Sequence, residues 1–190
     1  MKTIEIKGSK RTALTKQSVK AIRNDEQSPC VLYGGKEPVH FSVTLADLKG
    51  LVYTPDVHMV KLNIDGAEYQ CVLQHIQFHP VTDVIQHVDF LQVFDDKPVT
   101  INIPVRLTGA SEGVKQGGKL VTKVRRLKVK ALPAKLPDAV TIDITPLKIG
   151  GHIRVRDLNV DGVTFLDSQS NVIVGVQTTR NVVAAEADKK

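Results

Sequence analysis

Residues 57–93 read VHMVKLNIDGAEYQCVLQHIQFHPVTDVIQHVDFLQV. Apolar and polar side chains alternate through 57–64, 67–78 and 84–93, and a period of two belongs to strands. Asn63-Ile64-Asp65-Gly66 supplies a tight turn between the first two runs, because Asp-Gly tolerates the positive φ that hairpin turns require. In the third run Val88 and Phe90 point to one side and His87 and Asp89 to the other.

The same pattern extends outward in both directions. Upstream, strands are expected over 3–7, 30–33 and 39–43. Thr44 caps a short helix with Leu45, Leu48 and Val52 on one side, and a second short helix covers 18–23. Downstream the pattern pauses at Phe94-Asp95-Asp96-Lys97-Pro98. A fresh series then runs through 99–107, 119–132, 139–144, 152–155, 163–165 and 171–178. The chain therefore reads as mainly β, with a first domain over 1–93 and a second β-rich domain over 94–180. A tail over 181–190 has too little apolar content to order itself.

At 190 residues and 42% apolar composition the chain is globular and can hold real cores. The net charge of +6 and pI of about 9.3 permit a polyanionic partner without demanding one. Cys30 and Cys71 form neither a Cys-x-x-Cys pair nor a disulfide framework, and the amino end lacks the apolar core of a signal peptide. A reducing cytoplasm is the simplest reading. No apolar run approaches the ~20 residues a membrane helix needs.

Three patterns invite a chemical reading, and each meets an objection. Gly113-Val114-Lys115-Gln116-Gly117-Gly118-Lys119 fits G-x-x-x-x-G-K, but Leu120 stands where a magnesium-holding hydroxyl belongs. The residues beyond it alternate like a strand, so a glycine-rich hairpin loop is expected. Cys71, His75 and His79 recur every fourth residue, yet in a strand each such step spans ~13 Å, beyond the reach of one metal ion. His87 and Asp89 share a face, but no Ser or Cys nucleophile sits in a recognisable elbow. Neither a metal, nor a cofactor, nor an enzymatic reaction is expected.

The cations are more orderly. Lys7, Lys10, Arg11, Lys16, Lys20 and Arg23 lie near the amino end, and Lys16, Lys20 and Arg23 have the spacing of one helical face, although Lys16 is expected to precede the helix. Lys123, Arg125, Arg126, Lys128 and Lys130 form a second set, and no acid interrupts 119–135. Such rows track phosphates or merely solvate a basic protein, and the second equally fits an acidic protein partner. Segments 11–35 and 74–90 together supply cations, the Tyr33 ring and the hydrogen-bonding groups of Gln77, His79, His87 and Asp89. That inventory suits a folded RNA better than a small molecule.

Spaced basic residues, then Pro29-Cys30-Val31-Leu32-Tyr33-Gly34-Gly35, then Gln77-Phe78-His79-Pro80 and His87-Val88-Asp89-Phe90 strongly resemble the bacterial large-subunit ribosomal protein family that binds 5S ribosomal RNA. The two-domain length resembles its longer form, the general stress protein CTC type. The resemblance spans 2–179, with its specific motifs in the first half. It implies an N-terminal β-barrel with short helices, similar to the anticodon-binding barrels of glutaminyl-tRNA synthetase, that binds the loop E region of 5S RNA. It further implies a separate β-rich C-terminal domain touching neighbouring ribosomal proteins or ribosomal RNA, and a protein of the cytoplasmic large subunit that is monomeric off the ribosome, without membrane attachment.

By the same resemblance Arg11, Lys16, Lys20 and Arg23 match basic RNA-contacting positions, Tyr33 matches the Tyr-Gly tyrosine, and Gln77, His87 and Asp89 match hairpin contacts. Where the family usually has two adjacent arginines this chain reads Lys20-Ala21, so one phosphate contact is missing or supplied elsewhere. Phe78 stands where a basic residue is common. Asp89 is the telling residue, since a carboxylate beside RNA is repelled unless it accepts from specific donors. A stand-alone tRNA-binding barrel and, from another class, a hydrolase using His87 and Asp89 are the competing readings.

Overall fold

The computed structural model describes residues 2–35 and 37–179, so the expected tail over 181–190 lies outside the described residues. Two compact units divide between Val99 and Thr100. The first contains β1 (Lys2–Lys10), α1 (Lys16–Asn24), β2 (Gln27–Tyr33), β3 (Val39–Thr44), α2 (Leu45–Val52), β4 (His58–Ile64), β5 (Ala67–Phe78) and β6 (Ile85–Gln92). Its strands close into a barrel in the order β1-β3-β2-β6-β5-β4. The hairpins β2/β3, β4/β5 and β5/β6 are antiparallel, whereas β1/β4 and β2/β6 are parallel.

Alternation builds the barrel's interior. Val60, Leu62 and Ile64 of β4, Leu32 of β2 and Val88 and Phe90 of β6 turn inward onto Ile6 and Phe41. The rings of Phe41 and Phe90 lie 5.8 Å apart. Gly8 is needed here, because a Cβ at that position would sit 2.8 Å from the Phe41 ring. The β4/β5 turn is built as its sequence requires: Asp65 has φ 48°, Gly66 has φ 91°, and Asn63 Oδ1 accepts from the Gly66 N–H at 3.0 Å.

Helix α2 closes one end of this core. Thr44 is its N-cap and Leu48 and Leu51 are buried, each contributing roughly 1.5–3 kcal/mol by burial. Helix α1 packs beside β2 but buries no residue. It begins earlier than the sequence suggests, since its cap is Thr15, whose Oγ1 accepts from the Ser18 N–H at 3.3 Å. Lys16 is therefore the first helical residue instead of preceding the helix.

The second unit holds β7 (Val99–Thr108), α3 (Glu112–Lys115), β8 (Lys119–Thr122), β9 (Arg126–Ala131), β10 (Val140–Asp143), β11 (His152–Arg154), β12 (Val163–Phe165) and β13 (Val172–Gln177). A four-stranded sheet runs β10-β7-β9-β12 and a three-stranded sheet β11-β13-β8. Ile103, Leu127, Val129, Ile173 and Val174 are fully buried. The single strand expected over 119–132 is two strands in different sheets. The amides of Lys123 and Val124 both donate to Ile173 O on β13, while the Arg125 carbonyl accepts from Val105 on β7.

The 113–119 segment is a turn of helix followed by a tight turn instead of a hairpin loop. Ser111 caps α3, and the amides of Gly113, Gly117 and Gly118 donate to the carbonyls of Leu147, Val114 and Gly113. Amides already paired internally cannot cradle a phosphate.

Candidate nucleic-acid interface

The candidate surface is the outer face of β2, β6 and β5, and register determines who stands on it. Opposite β6, Leu73 pairs with Phe90, then His75 with Asp89, Ile76 with Val88 and Gln77 with His87. Between Leu73 and His75 the partner strand advances by one residue only, so Gln74 is the extra residue of a bulge. The bulge inverts the face of everything after it. Cys71 and Leu73 turn toward the barrel interior, while His75 and Gln77 turn outward beside Asp89 and His87. Cys71 is consequently on the opposite face from His75, and Phe78, the last residue of β5, is exposed.

A second irregularity lies between Gln77 and Phe78, where Phe78 pairs with Ile85 and Gln86 becomes the extra residue. Its carbonyl accepts from Arg23 Nη2 at 3.0 Å. That bond ties the C-terminal turn of α1 to the start of β6. Lys16, Lys20 and Arg23 are exposed and spaced i, i+4, i+7 along α1, so they form one row leading to this bond.

On the sheet face His87 Nδ1 and Asp89 Oδ1 are 2.7 Å apart, with both side chains a little over a quarter exposed. An ionised carboxylate only accepts, so Nδ1 carries the hydrogen and Nε2 is left for an outside partner. Tyr33, level with Leu91 at the end of β2, lies close enough to feel Asp89. Burial first and the Asp89 charge second raise its phenol above the usual value. Beneath the face, burial pushes the Cys30 thiol up to about 12, the Asp89 charge adds to the rise, and Arg11 opposes it. Arg11 and Asp89 thus both lie within electrostatic reach of one buried thiol. The Arg11 N–H donates to His40 O at 2.9 Å, its Nη2 donates to Ala13 O at 3.4 Å, and its buried Nε has no partner.

Tyr33, Gln77, His87 and Asp89 therefore share one surface, Arg23 is bonded to its edge, Arg11 approaches from β1, and Lys16 and Lys20 extend away along α1. Simple alternation puts His75 on the same face as Gln77, and the bulge register sets it directly across from Asp89. His79 has a different role: its Nδ1 accepts from the amides of Val81 and Thr82 at 3.3 and 3.2 Å, shaping the β5/β6 turn. Among the described residues no cluster of three or more His, Cys, Asp or Glu could hold a metal ion.

Comparison with known proteins covers nearly the whole chain. The family model of the ribosomal L25p family matches residues 6–90, and that of ribosomal protein TL5, C-terminal domain, matches 98–180. The chain is 48% identical to the large ribosomal subunit protein bL25 of Amoebophilus asiaticus, over all of this chain and 98% of that one. It is 44% identical to the protein of the same name from Porphyromonas gingivalis over the full length of both. The match to that of Bacteroides fragilis is 45%, over 98% of each chain.

Proposed function

This chain belongs to the ribosomal L25p family as a structural, non-enzymatic protein of the large ribosomal subunit of the CTC type, and from that premise we propose that its first domain binds the loop E region of 5S ribosomal RNA. The observation that carries the reading is the Asp89-His87-Gln77-His75 face with a cationic helix fastened to its edge. Double-helical RNA hides its major groove and displays ribose hydroxyls and base edges in a shallow minor groove, against which a rigid sheet can lie. Lys16, Lys20, Arg23 and Arg11 contact phosphates and set position. Gln77, His87 and Asp89 exchange hydrogen bonds with hydroxyls and exocyclic amines, and Tyr33 borders them.

The first domain, residues 1–93, carries this activity alone. All six barrel strands end by Gln92, and Val93 N–H still donates to Gln70 O at 2.9 Å. Filter binding of 5S RNA to the full chain and to 1–93 is expected to give nearly equal affinities, with much weaker binding of transfer RNA. Co-sedimentation with large subunits completes the test. Preference for transfer RNA, or loss of 5S affinity on removing 94–190, would overturn the assignment.

A further inference from the structure

The second domain carries a cationic surface that the 5S contact does not use. In β9 the buried side chains are Leu127, Val129 and Ala131, so Arg126, Lys128 and Lys130 all stand on the opposite, exposed face. Successive members of the row are one i, i+2 step apart, about 6.7 Å. Lys130 faces Thr164 of β12 across the ladder. Lys123 and Arg125 continue the positive charge into the preceding crossover, and no carboxylate occurs anywhere from Lys119 to Lys135.

The acid beside the row is held by the backbone: Asp167 Oδ2 accepts from the Lys128 N–H at 2.7 Å. Among the described residues Arg126, Lys128 and Lys130 form no ion pair. Three like charges on one rigid strand repel one another and add nothing to a core. An anionic partner removes that repulsion, and its released counterions favour binding.

We propose that the exposed face of β9 is a second RNA-binding surface that grips the phosphate backbone of duplex RNA without reading its sequence. Charge and shape favour RNA over an acidic protein. The row is linear and polar, whereas protein interfaces centre on packed apolar and aromatic anchors. The exposed apolar groups here are isolated, Leu166 beside Lys128 and Leu132 past the strand's end. The proposal rests on the ribosomal role of the chain but not on the 5S contact, which involves other residues in another domain.

The test uses the full chain preloaded with one equivalent of 5S RNA, so that the first domain is occupied, and a fluorescent RNA duplex of arbitrary sequence, about 20 base pairs long and so long enough to span two minor grooves. The variant Arg126→Gln/Lys128→Gln/Lys130→Gln keeps side-chain length at exposed positions, and circular dichroism checks its fold. Wild type should bind the duplex, while the variant should lose at least about fivefold in affinity and about two units of log-log salt slope, at ~0.7–0.9 per phosphate contact. Its 5S affinity should stay within about twofold of wild type. If 5S RNA fails to load, the same comparison is made on unloaded chain carrying Lys16→Gln/Lys20→Gln/Arg23→Gln, which separates failure of the 5S reading from failure of this one. Unchanged duplex affinity and slope would overturn the proposal. So would unchanged duplex binding accompanied by lost binding of poly-glutamate, which would reassign the face to an acidic protein.

Discussion

Helices α1 and α2 are nearly equal in length, flank the same barrel and are both capped by threonine, yet they differ in what they bury and in the charge of their first turn. Helix α2 has Asp47 in its first turn and Lys49 in its last, as its dipole prefers, and it buries Leu48 and Leu51. Helix α1 buries nothing, has no acid in its first turn, and begins with Lys16 at the end where positive charge is unfavourable. A helix that satisfies its own physics is there for the fold. One that is capped at Thr15 and carries Arg23 in its last turn, yet buries nothing and sets Lys16 at its positive end, holds charge for something outside.

The contrast can be broken most forcefully from the α2 side. Leu48→Ala should cost about 2–5 kcal/mol of stability, because it empties a fully buried position, and denaturant unfolding would read this directly. Alanine at Lys20 should leave stability within about 0.5 kcal/mol. Similar losses from both substitutions would erase the distinction between a core helix and a contact helix.

Next in size is Asp89→Asn. If the first domain attracted RNA only through its field, deleting a negative charge would tighten binding, most of all at low salt. If Asp89 accepts from an RNA donor while fixing His87, 5S affinity should fall by about 1–3 kcal/mol, the scale of an unpaired polar group. Affinity at two salt concentrations, with circular dichroism as folding control, gives the sign. The fold should persist, since Val88 and Phe90 hold β6 to the core.

Lys16→Glu sharpens the comparison through opposite signs. It should stabilise the protein by about 0.3–1 kcal/mol through the helix dipole while weakening 5S binding. Parallel gains in both measurements would mean that Lys16 faces only water. The smallest effect belongs to Lys20→Ala, whose 5S affinity should lose ~0.7–0.9 of log-log salt slope and keep its sequence preference. An unchanged slope would remove Lys20 from the contact.

Much of the first domain is legible in the sequence because its signals are local. The Asp65-Gly66 turn, the Thr44 cap and the alternation of β4 and β6 each depend on a few adjacent residues. The features that escape are set by distant partners. The break between β8 and β9 contains no Gly or Pro, and arises because consecutive residues hydrogen-bond to strands of two different sheets. The bulge at Gln74 likewise leaves no mark in composition, yet it decides that His75 joins Asp89 and that Cys71 does not. The start of α1 is ambiguous locally, because Ser18 resembles a cap as much as Thr15 does, but the Ser18 hydroxyl donates to the carbonyls of Ala13 and Thr15 instead. The outer-face membership of His87 and Asp89 needs only a period of two.

The parallel closures of the barrel also govern its assembly in time. Ile4 of β1 finds its place beside Val60, and Cys30 of β2 beside Val88. During synthesis from the amino end, β1 and β2 each wait with one open edge until a strand more than fifty residues later has emerged. Such distant closures fold slowly, because loop entropy is lost before contacts repay it, and waiting edges can pair with the wrong strand. A nascent chain stopped short of β6 is an open sheet with its apolar lining uncovered, so interrupted translation leaves an aggregation-prone fragment instead of a smaller working barrel.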